Sequence, residues 1–286
     1  MQRSLRQLRP GEYPPLLLEI PQPPAKLYLA GNLPPPEHKL LSVVGSRRYT
    51  SYGKEACEKL IAGLRGFPIS IVSGLALGID GIAHKAALAA SLHTLAVPGS
   101  GLREDVLYPA SHRALAKEIL EAGGGLLSEY EPDFRARPES FPQRNRIMAG
   151  LSHATLMIEG GEQSGTLVTA RLTCEYNRDL LVVPGSIFSS NSHGPHLFLR
   201  LGATPIRNSA DILEALGFAQ DAPQKLPDNL SGDETKVMHI LVEPHSRDTV
   251  LVELGLPVQQ GNILLATMEL KGLIKEELGV LRSSFL

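Results

Sequence analysis

The sequence predicts an α/β fold in which a parallel, doubly wound sheet is followed by a second, smaller domain. Three observations predict it. Short apolar runs alternate with helical patterns between residues 40 and 216, as in chains that build parallel sheets. These runs are uniformly apolar rather than alternating, which is typical of strands buried on both faces. After a turn-rich segment, the remaining residues show three short helical patterns and a hairpin.

The first 39 residues are rich in proline and cannot form a continuous helix. We expect an extended arm over residues 1–39, with a short edge strand at Leu27–Ala30 and with its apolar side chains packed on the following domain. That domain, 40–216, has predicted strands at Leu41–Val44, Ile69–Val72, Thr94–Val97, Leu126–Ser128, Thr155–Ile158 and Leu180–Val183. Its predicted helices are Tyr52–Leu64, Asp80–Ala90, Ser111–Glu121, Pro142–Ala149, Gly165–Tyr176, His196–Leu201 and Ser209–Leu216, and Gly217 suits the end of the last one.

Residues 217–232 contain turn formers and little apolar pattern, so they are predicted to be a linker. The last segment, 233–286, is interpreted as a winged-helix-like domain because three helices and a two-stranded ribbon fit within it. The helices are predicted at Asp233–Val242, Ser246–Glu253 and Pro257–Leu270, with Ser246 as a cap, and the ribbon at Gly272–Lys275 and Val280–Arg282.

Five glycine-bearing loops each follow a predicted strand and precede a helical pattern. A helix N-terminus offers unpaired N–H groups and a positive dipole end, and glycine lets an anion approach them. On one parallel sheet such loops share the edge where ligands bind. A row of phosphate-sized sites indicates a polyphosphate ligand, such as a nucleic-acid backbone. The loops start at Gly45, Ser73, Pro98, Gly160 and Pro184.

Composition excludes several classes of protein. The net charge is −2, so any anion site needs a local concentration of basic groups, and residues 211–286 hold twelve acidic and six basic side chains. Two isolated cysteines, Cys57 and Cys174, form neither a disulfide framework nor a zinc site and favour a reducing cytoplasm. No apolar stretch is long enough to span a bilayer, so no membrane contact is expected. Without a Walker lysine, a dinucleotide fingerprint or metal-ligand spacing, we expect no cofactor, no metal and no catalytic residue.

The first two glycine loops contain candidate anion ligands. In Gly45-Ser46-Arg47, glycine permits close approach, the serine hydroxyl can donate, and the arginine can fork onto a phosphate, although it could also be a plain surface residue. Ser73-Gly74 opens the second loop, and Asp80 is expected to cap the helix that follows, with a catalytic or ribose-binding role as the alternative.

Residues 141–146 form the densest functional pattern. Phe141 can stack on a base, and Arg144 and Arg146, which flank Asn145, can hold phosphates in the first turns of a helix with Pro142 at its first position. The alternative is that Phe141 is buried and anchors a loop while the arginines pair with Glu129, Glu131 or Glu159. Ser164 and Gly165 open another helix and can cap it or contact a phosphate, and the polar loop 185–194 is interpreted as a rim.

Together these motifs resemble the DprA/Smf family, the bacterial DNA-processing proteins of natural transformation. The similarity runs from about residue 11 to 216. The matching stretches are VVGSRRYTSYG (43–53), SGLALGIDGIAHKAAL (73–88), LAVPGSGL (95–102), LLSEY (126–130), FPQRNRIMAGLS (141–152), SGTLVTARL (164–172) and VVPGSIFSSNSHG (182–194).

The resemblance implies an extended Rossmann-like fold and a protein that binds single-stranded DNA and is not an enzyme. It also implies homodimers that protect incoming single strands and help to load the RecA recombinase. Many members carry a helical module before this region, and we expect none here because the chain starts too late. Carried over by motif, the DNA pocket comprises Gly45, Ser46, Arg47, Ser73, Gly74, Phe141, Arg144, Asn145, Arg146, Ser164 and Gly165.

Two further readings remain open. The loop 160–166 is loosely similar to loops of some Rossmann-like families that cleave nucleoside monophosphates, and Asp80, Glu159 and Glu162 are available acids, although no spacing fixes a carboxylate pair. A scaffolding partner of a recombinase is the other alternative.

In the C-terminal domain, the predicted helix Pro257–Leu270 has no Lys or Arg, unlike a recognition helix, so we expect it to contact protein or a second copy of itself.

Overall fold

The computed structural model describes residues 5–218, 230–241, 244–277 and 279–283. They form two compact units, one within residues 1–219 and one within 220–286. Every strand and helix predicted between residues 40 and 216 is present, most with ends shifted by one or two residues. The first unit contains β1 (Arg6–Gln7), α1 (Pro15–Leu18), β2 (Tyr28–Gly31), β3 (Lys39–Val44), α2 (Ser51–Ala62), β4 (Ile69–Ser73), α3 (Ile79–Ala89), β5 (His93–Ala96), α4 (Arg113–Glu121), β6 (Gly125–Ser128), α5 (Ser140–Leu151), β7 (Ala154–Met157), α6 (Thr166–Glu175), β8 (Asp179–Val182), α7 (His193–Arg200), β9 (Thr204–Pro205) and α8 (Ser209–Ala215).

One nine-stranded sheet organises the first unit, in the order β1-β2-β6-β5-β4-β3-β7-β8-β9. All neighbours from β6 to β9 are parallel. β2 pairs antiparallel with β6, and β1 pairs antiparallel with β2. The two edge strands, β1 and β9, are only two residues long. This large, mostly parallel sheet between helices confirms the predicted α/β class.

Strand side chains alternate between two cores, because successive residues of a strand point to opposite faces. On β3, Leu41 and Val43 join the core that is formed with α2, α3 and α8. Leu40 and Val44 join the core on the other face, with α1, α5, α6 and α7. Both faces of the sheet are therefore covered, which explains why the strands read as uninterrupted apolar runs.

The proline-rich N-terminal segment packs onto the sheet as expected. Its strand β2 coincides within a residue with the predicted edge strand Leu27–Ala30, and Leu17 and Ile20 are buried beside α5. Three of the first unit's strands and helices were not predicted from the sequence: β1 and β9, one at each border of the sheet, and the short helix α1 inside the expected extended arm. The segment thus belongs to the first unit, and the boundary between residues 39 and 40 stays a prediction.

The second unit has three helices and a three-stranded antiparallel sheet among its described residues, in the strand order β10-β12-β11. Ser246 caps a helix as predicted, since its Oγ accepts from the N–H of Thr249 at 3.2 Å. The winged-helix interpretation stays a prediction, and most of the predicted linker 217–232, like Val242, lies outside the described residues. The elements are α9 (Gly232–Ile240), β10 (His245–Ser246), α10 (Arg247–Leu254), α11 (Val258–Leu270), β11 (Ile274–Glu277) and β12 (Val280–Ser283).

Three features of the described residues bear on ligands and surroundings. Cys57, which is buried, and Cys174, which is exposed, are both free thiols. Within the described ranges, no three His, Cys, Asp or Glu side chains lie close enough together to hold a metal ion. None of the helices in those ranges has the length and apolarity needed to cross a membrane.

Candidate functional site: a cleft at the carboxyl edge of the sheet

A cleft of about 800 Å³ opens at the carboxyl edge of the sheet, above β3 and β7. β3 is the point where the strand order reverses, since the chain proceeds from it to β4, β5 and β6 on one side and returns to β7 on the other. Ligands of open α/β sheets bind at such a switch point. Eight of the eleven predicted site residues line the cleft: Gly45, Ser46, Arg47, Phe141, Arg144, Asn145, Ser164 and Gly165.

An aromatic ring and a guanidinium lie together in this cleft. The Cζ of Arg47 is 5.2 Å from the ring centroid of Phe141, which is a cation–π arrangement. Tyr108 packs beside the same ring, with the two centroids 5.5 Å apart and the planes at 55°. Phe141 is half-buried and Arg47 is exposed. The cleft therefore brings an aromatic ring and an exposed positive charge together.

The loop after β3 is held in place by local hydrogen bonds. Ser46 Oγ accepts from the N–H of Arg48 at 3.0 Å and donates to its carbonyl oxygen at 2.9 Å. A Cβ on Gly45 would lie 2.6–2.8 Å from three side-chain atoms of Ile79, so only glycine lets this loop pack on the start of α3. Arg47 and Arg48 are exposed at the cleft, and neither has an ion-pair partner within the described residues.

A buried charged pair lies beneath the cleft. Asp80 Oδ2 accepts from the N–H groups of Gly74 at 3.1 Å and Ala76 at 3.3 Å, and Arg144 Nη1 donates to the carbonyl oxygen of Gly74 at 2.6 Å and also to that of Val97. Burial lowers the pKa of Arg144 to about 10, opposed by the nearby Asp80. Burial likewise raises the pKa of Asp80, while Arg144 and the two N–H bonds act against it. Both side chains thus fix the loops after β4 and β5.

This geometry corrects the sequence interpretation of Asp80. Its helix, α3, begins at Ile79 with Gly78 at the cap position, so Asp80 lies inside the first turn and is not the cap. Its carboxylate instead holds the preceding loop. The sequence predicted that the Asp80 carboxylate accepts from N–H groups of its own helix. It accepts instead from the N–H groups of Gly74 and Ala76, which precede the helix.

The loop after β7 brings backbone N–H groups to the cleft. Ser164 Oγ accepts from the N–H of Thr166 at 3.2 Å and donates to the Thr166 hydroxyl at 2.9 Å, which starts α6. The N–H groups of Gln163 and Gly165 donate no hydrogen bond within the described part of the chain. Asn145 Nδ2 reaches the Gly165 carbonyl oxygen at 3.4 Å and links α5 to this loop. Free N–H groups at a helix N-terminus form an anion-binding position.

Asn191 completes one wall of the site, with Glu159 buried behind it, and the sequence did not single out Asn191. Asn191 Nδ2 donates to the Arg48 carbonyl oxygen at 2.7 Å, and Asn191 lines the cleft. Buried Glu159 accepts from the Thr50 N–H at 3.0 Å and from the Thr50 hydroxyl at 2.5 Å. The polar loop 185–194, interpreted as a rim, was the one signal in the sequence that pointed to Asn191.

The other three predicted site residues do not line the cleft. Ser73 is buried and its Oγ donates to the Val43 carbonyl oxygen at 2.7 Å, and the backbone of Gly74 is hydrogen-bonded to Asp80 and Arg144. Arg146 Nη2 pairs with Glu129 Oε2 at 2.5 Å, and both side chains are nearly buried. The reason is helix geometry: at 100° per residue, positions 144 and 146 lie about 200° apart on α5. A DNA contact by Arg146 stays a prediction, and the ion pair favours a structural role.

Comparisons with known proteins match both the sequence and the fold. The family model described as DNA recombination-mediator protein A matches residues 5–217. The chain is 38% identical over 276 residues to Protein Smf of Escherichia coli, which covers 92% of this chain and 72% of that protein.

Two solved structures are similar as well. One is the X-ray structure of DNA processing protein A from Streptococcus pneumoniae, with a TM-score of 0.69, 36% identity and 76% of each chain covered. The other, from Helicobacter pylori, is titled for the single-stranded DNA binding mode of DNA processing protein A. It has a TM-score of 0.65 and 31% identity, and the match covers 76% of this chain and 98% of that one. On these matches, the chain belongs to the DNA recombination-mediator protein A family, the DprA/Smf family.

Proposed function

We propose that the cleft binds single-stranded DNA with little sequence preference. The observation that carries the proposal is the pairing of a half-buried ring, Phe141, and an exposed guanidinium, Arg47, with free N–H groups on the loop after β7. The ring offers a stacking face that every base can use, and the arginine and N–H groups suit phosphates. Because none of these contacts reads a base edge, affinity depends on strand flexibility and stacking rather than on sequence.

The proposed binding mode favours single strands over duplex DNA. A ring such as Phe141 inside a cleft can stack only on a base that is unpaired and free to turn outwards. The H. pylori relative, whose structure is described as giving its single-stranded DNA binding mode, supports the same ligand class here. We therefore expect a thymine oligomer to bind and a blunt duplex of the same length to compete poorly.

No hydrolytic centre is proposed. Asp80 and Glu159, two of the carboxylates available to a nucleotide hydrolase, are buried and already accept hydrogen bonds from backbone N–H groups. Glu162 is exposed and is not part of the cleft lining. The structure thus favours binding without catalysis. Incubation with nucleoside monophosphates, followed by measurement of free base, tests this directly, since steady turnover would revive the hydrolase alternative.

We further propose that this binding serves DNA processing in natural transformation, with the protein protecting incoming strands and helping to load the RecA recombinase as a homodimer. The names of relatives support the DNA-processing part of this proposal, since the S. pneumoniae and Bacillus subtilis proteins are named DNA processing protein DprA. A cytoplasmic location fits two free cysteines.

The second unit is proposed to be a winged helix that contacts protein rather than DNA. The described part of α11 carries no basic residue, and it exposes Val258, Ile263 and Leu270. Its Glu269 is paired with Arg247 at 2.6 Å. An apolar exposed helix without cations fits a protein partner or a second copy. Changing Ile263 to Glu should alter the molecular mass measured in solution, and unchanged mass and RecA binding would count against it.

The central experiment is a titration of a labelled thymine oligomer at several salt concentrations. Single-strand binding through phosphates predicts that log K falls linearly with log salt, with a slope of about 0.7 per phosphate neutralised. A mixed-sequence oligomer should bind within a few-fold of the thymine oligomer. Failure to bind any oligomer at low salt, or equal affinity for duplex DNA, would overturn the proposed function.

A further inference from the structure

The turn between β8 and α7 displays two large apolar side chains at its tip. Ile187 is 80% exposed and Phe188 is 92% exposed, which makes Phe188 the most exposed large hydrophobic side chain described. Single exposed apolar residues are common on proteins. Here two adjacent ones lie on a loop that the protein holds in a defined shape, and this needs an explanation.

The tip is an ordered turn. Ser189 N–H donates to the Ser186 carbonyl oxygen at 3.1 Å, and Phe188 N–H donates to Ser186 Oγ at 3.2 Å. These two bonds place Ile187 and Phe188 at the two central positions of the turn, where side chains point outward. The exposure of Phe188 is therefore produced by the hydrogen bonds of the backbone.

Hydrogen bonds hold both ends of this loop, and those at the Asn191 end connect it to the lining of the cleft. The Tyr52 hydroxyl donates to the Pro184 carbonyl oxygen at 2.6 Å. At the other end, Asn191 Nδ2 donates to the Arg48 carbonyl oxygen at 2.7 Å, and the Asn191 carbonyl accepts from Gly160 N–H at 2.8 Å. Phe188 is three residues from Asn191, so the two Cα atoms are at most about 11 Å apart.

Phe188 and Phe141 lie towards opposite ends of the cleft. Phe141 packs against the loop after β5, where a Cβ on Gly99 would lie 2.7 Å from its ring, whereas Phe188 follows β8. In the sheet, β5 and β8 are four strands apart. At about 4.8 Å per strand, the two loops are separated by about 19 Å along the carboxyl edge. The cleft, with Arg47 and Arg48, lies between them.

We infer that Phe188, supported by Ile187, is a second stacking position for the nucleotide that leaves the cleft on the β8 side. This inference rests on the proposed function. We choose a DNA strand as the ligand of this turn for two reasons. The turn is continuous with the cleft, and the exposed Arg48, which lines the cleft and is bonded to Asn191, has no ion-pair partner among the described residues and can meet a phosphate. A strand that is held at Phe141 and follows the arginines reaches this turn if it is long enough.

Length dependence tests the inference. Thymine oligomers of increasing length are titrated against the full chain and against Phe188→Ala, Phe188→Tyr and Arg47→Ala. Short oligomers that fill only the cleft should bind Phe188→Ala as they bind the parent protein. Oligomers long enough to span both rings should bind Phe188→Ala roughly 5- to 150-fold more weakly, the range for one stacked base. Phe188→Tyr should bind oligomers of every length as the parent protein does. Arg47→Ala should bind oligomers of every length about tenfold more weakly.

A spectroscopic readout separates stacking from other effects. A strand with 2-aminopurine at successive positions should show quenching at the end near β8 with the parent protein and with Phe188→Tyr, and not with Phe188→Ala. Equal affinities of Phe188→Ala and the parent protein for oligomers of all lengths would overturn the inference while leaving single-strand binding intact. If Phe188→Ala had a different molecular mass in solution and unchanged affinity, the inference would also be overturned, because the turn would then be a contact between copies of the protein. Absence of binding by the parent protein would instead overturn the proposed function and the inference with it.

Discussion

Arg47 lies over the ring of Phe141, 5.2 Å from guanidinium carbon to ring centroid, and no carboxylate pairs with it in the described part of the chain. The face that a base would use is thus covered by a cation when no DNA is bound. A base that enters must displace the guanidinium, which is then free to meet the neighbouring phosphate. The pair therefore couples base stacking to phosphate binding.

Replacing Arg47 with Ala should weaken single-strand binding about tenfold, as expected for loss of one charge-assisted hydrogen bond of about 1.5 kcal/mol. The slope of log K against log salt should also fall by about 0.7, because one fewer phosphate is neutralised. Arg65→Ala is the matched control, since Arg65 is exposed in the loop before β4, at the opposite edge of the sheet. Equal slopes for Arg47→Ala and the parent protein would contradict a phosphate contact.

Replacing Phe141 with Ala should cost about 1–3 kcal/mol of binding free energy, the usual value of one stacked base. The salt slope should stay unchanged, because no charge is removed. Phe141→Trp should bind at least as well as the parent protein if the ring acts by stacking. Were Phe141→Ala to bind normally, the ring would have only a packing role against Tyr108.

Arg146→Ala should behave differently from Arg47→Ala, because Arg146 is paired with Glu129 in a nearly buried site. Removing one partner of a buried ion pair typically costs about 3–5 kcal/mol of stability. We expect a lower free energy of unfolding in urea and an unchanged salt slope of DNA binding. Adding Glu129→Gln to Arg146→Ala should recover part of the lost free energy of unfolding, because the unpaired carboxylate is then removed. A reduced salt slope with normal stability would restore Arg146 as a phosphate ligand.

His84 should make the first unit sensitive to acid. Burial lowers the pKa of His84 from 6.5 to about 3, and its Nε2 has no hydrogen-bond partner among the described residues. Between these two values the unfolded chain binds a proton that the folded chain does not. Stability should therefore fall as the pH decreases from 6.5 towards 3, by up to about 1.4 kcal/mol per pH unit.

The check is a set of urea titrations at several pH values on the parent protein and on His84→Gln. In His84→Gln, the free energy of unfolding should fall less steeply as the pH decreases from 6.5 towards 3, because the contribution of His84 is removed. This holds even if the variant is less stable at neutral pH. His93, whose pKa burial lowers to about 4, adds a slope of the same sign and remains in both proteins. Identical slopes for the two proteins would show that His84 is protonated in the folded state.

The strands were predictable because both faces of the sheet are covered, so that apolar runs such as Leu41–Val44 mark them directly. The five cleft-lining residues on the loops after β3 and β7 were predictable because loops at the carboxyl ends of parallel strands share one edge, whereas Phe141, Arg144 and Asn145 lie on α5 and were assigned to the site by their motif. The start of α5 was not predictable. The sequence placed Pro142 at its first position, whereas the helix begins at Ser140. Ser140 Oγ donates to the Gly99 carbonyl oxygen at 2.6 Å, a contact over 41 residues that no local pattern reveals.

The partners of the charged side chains could not be predicted from the sequence either. Three glutamates were possible partners for the arginines of α5, and only the fold shows that Glu129, at the end of β6, meets Arg146. Arg144 resembled a phosphate ligand in the sequence, yet it is 4% exposed and donates to two carbonyl oxygens beneath the cleft. Long-range burial decides which arginine holds the protein and which one is free for DNA.

The short outer strands of the sheet have a consequence for handling the protein at high concentration. A wide sheet that ended in long, regular strands would expose rows of unpaired N–H and carbonyl groups, on which further chains could assemble. Here each border offers two residues, and at β9 one of them is Pro205, which has no N–H to donate. Growth of this sheet into fibrous aggregates is thereby discouraged at both of its borders.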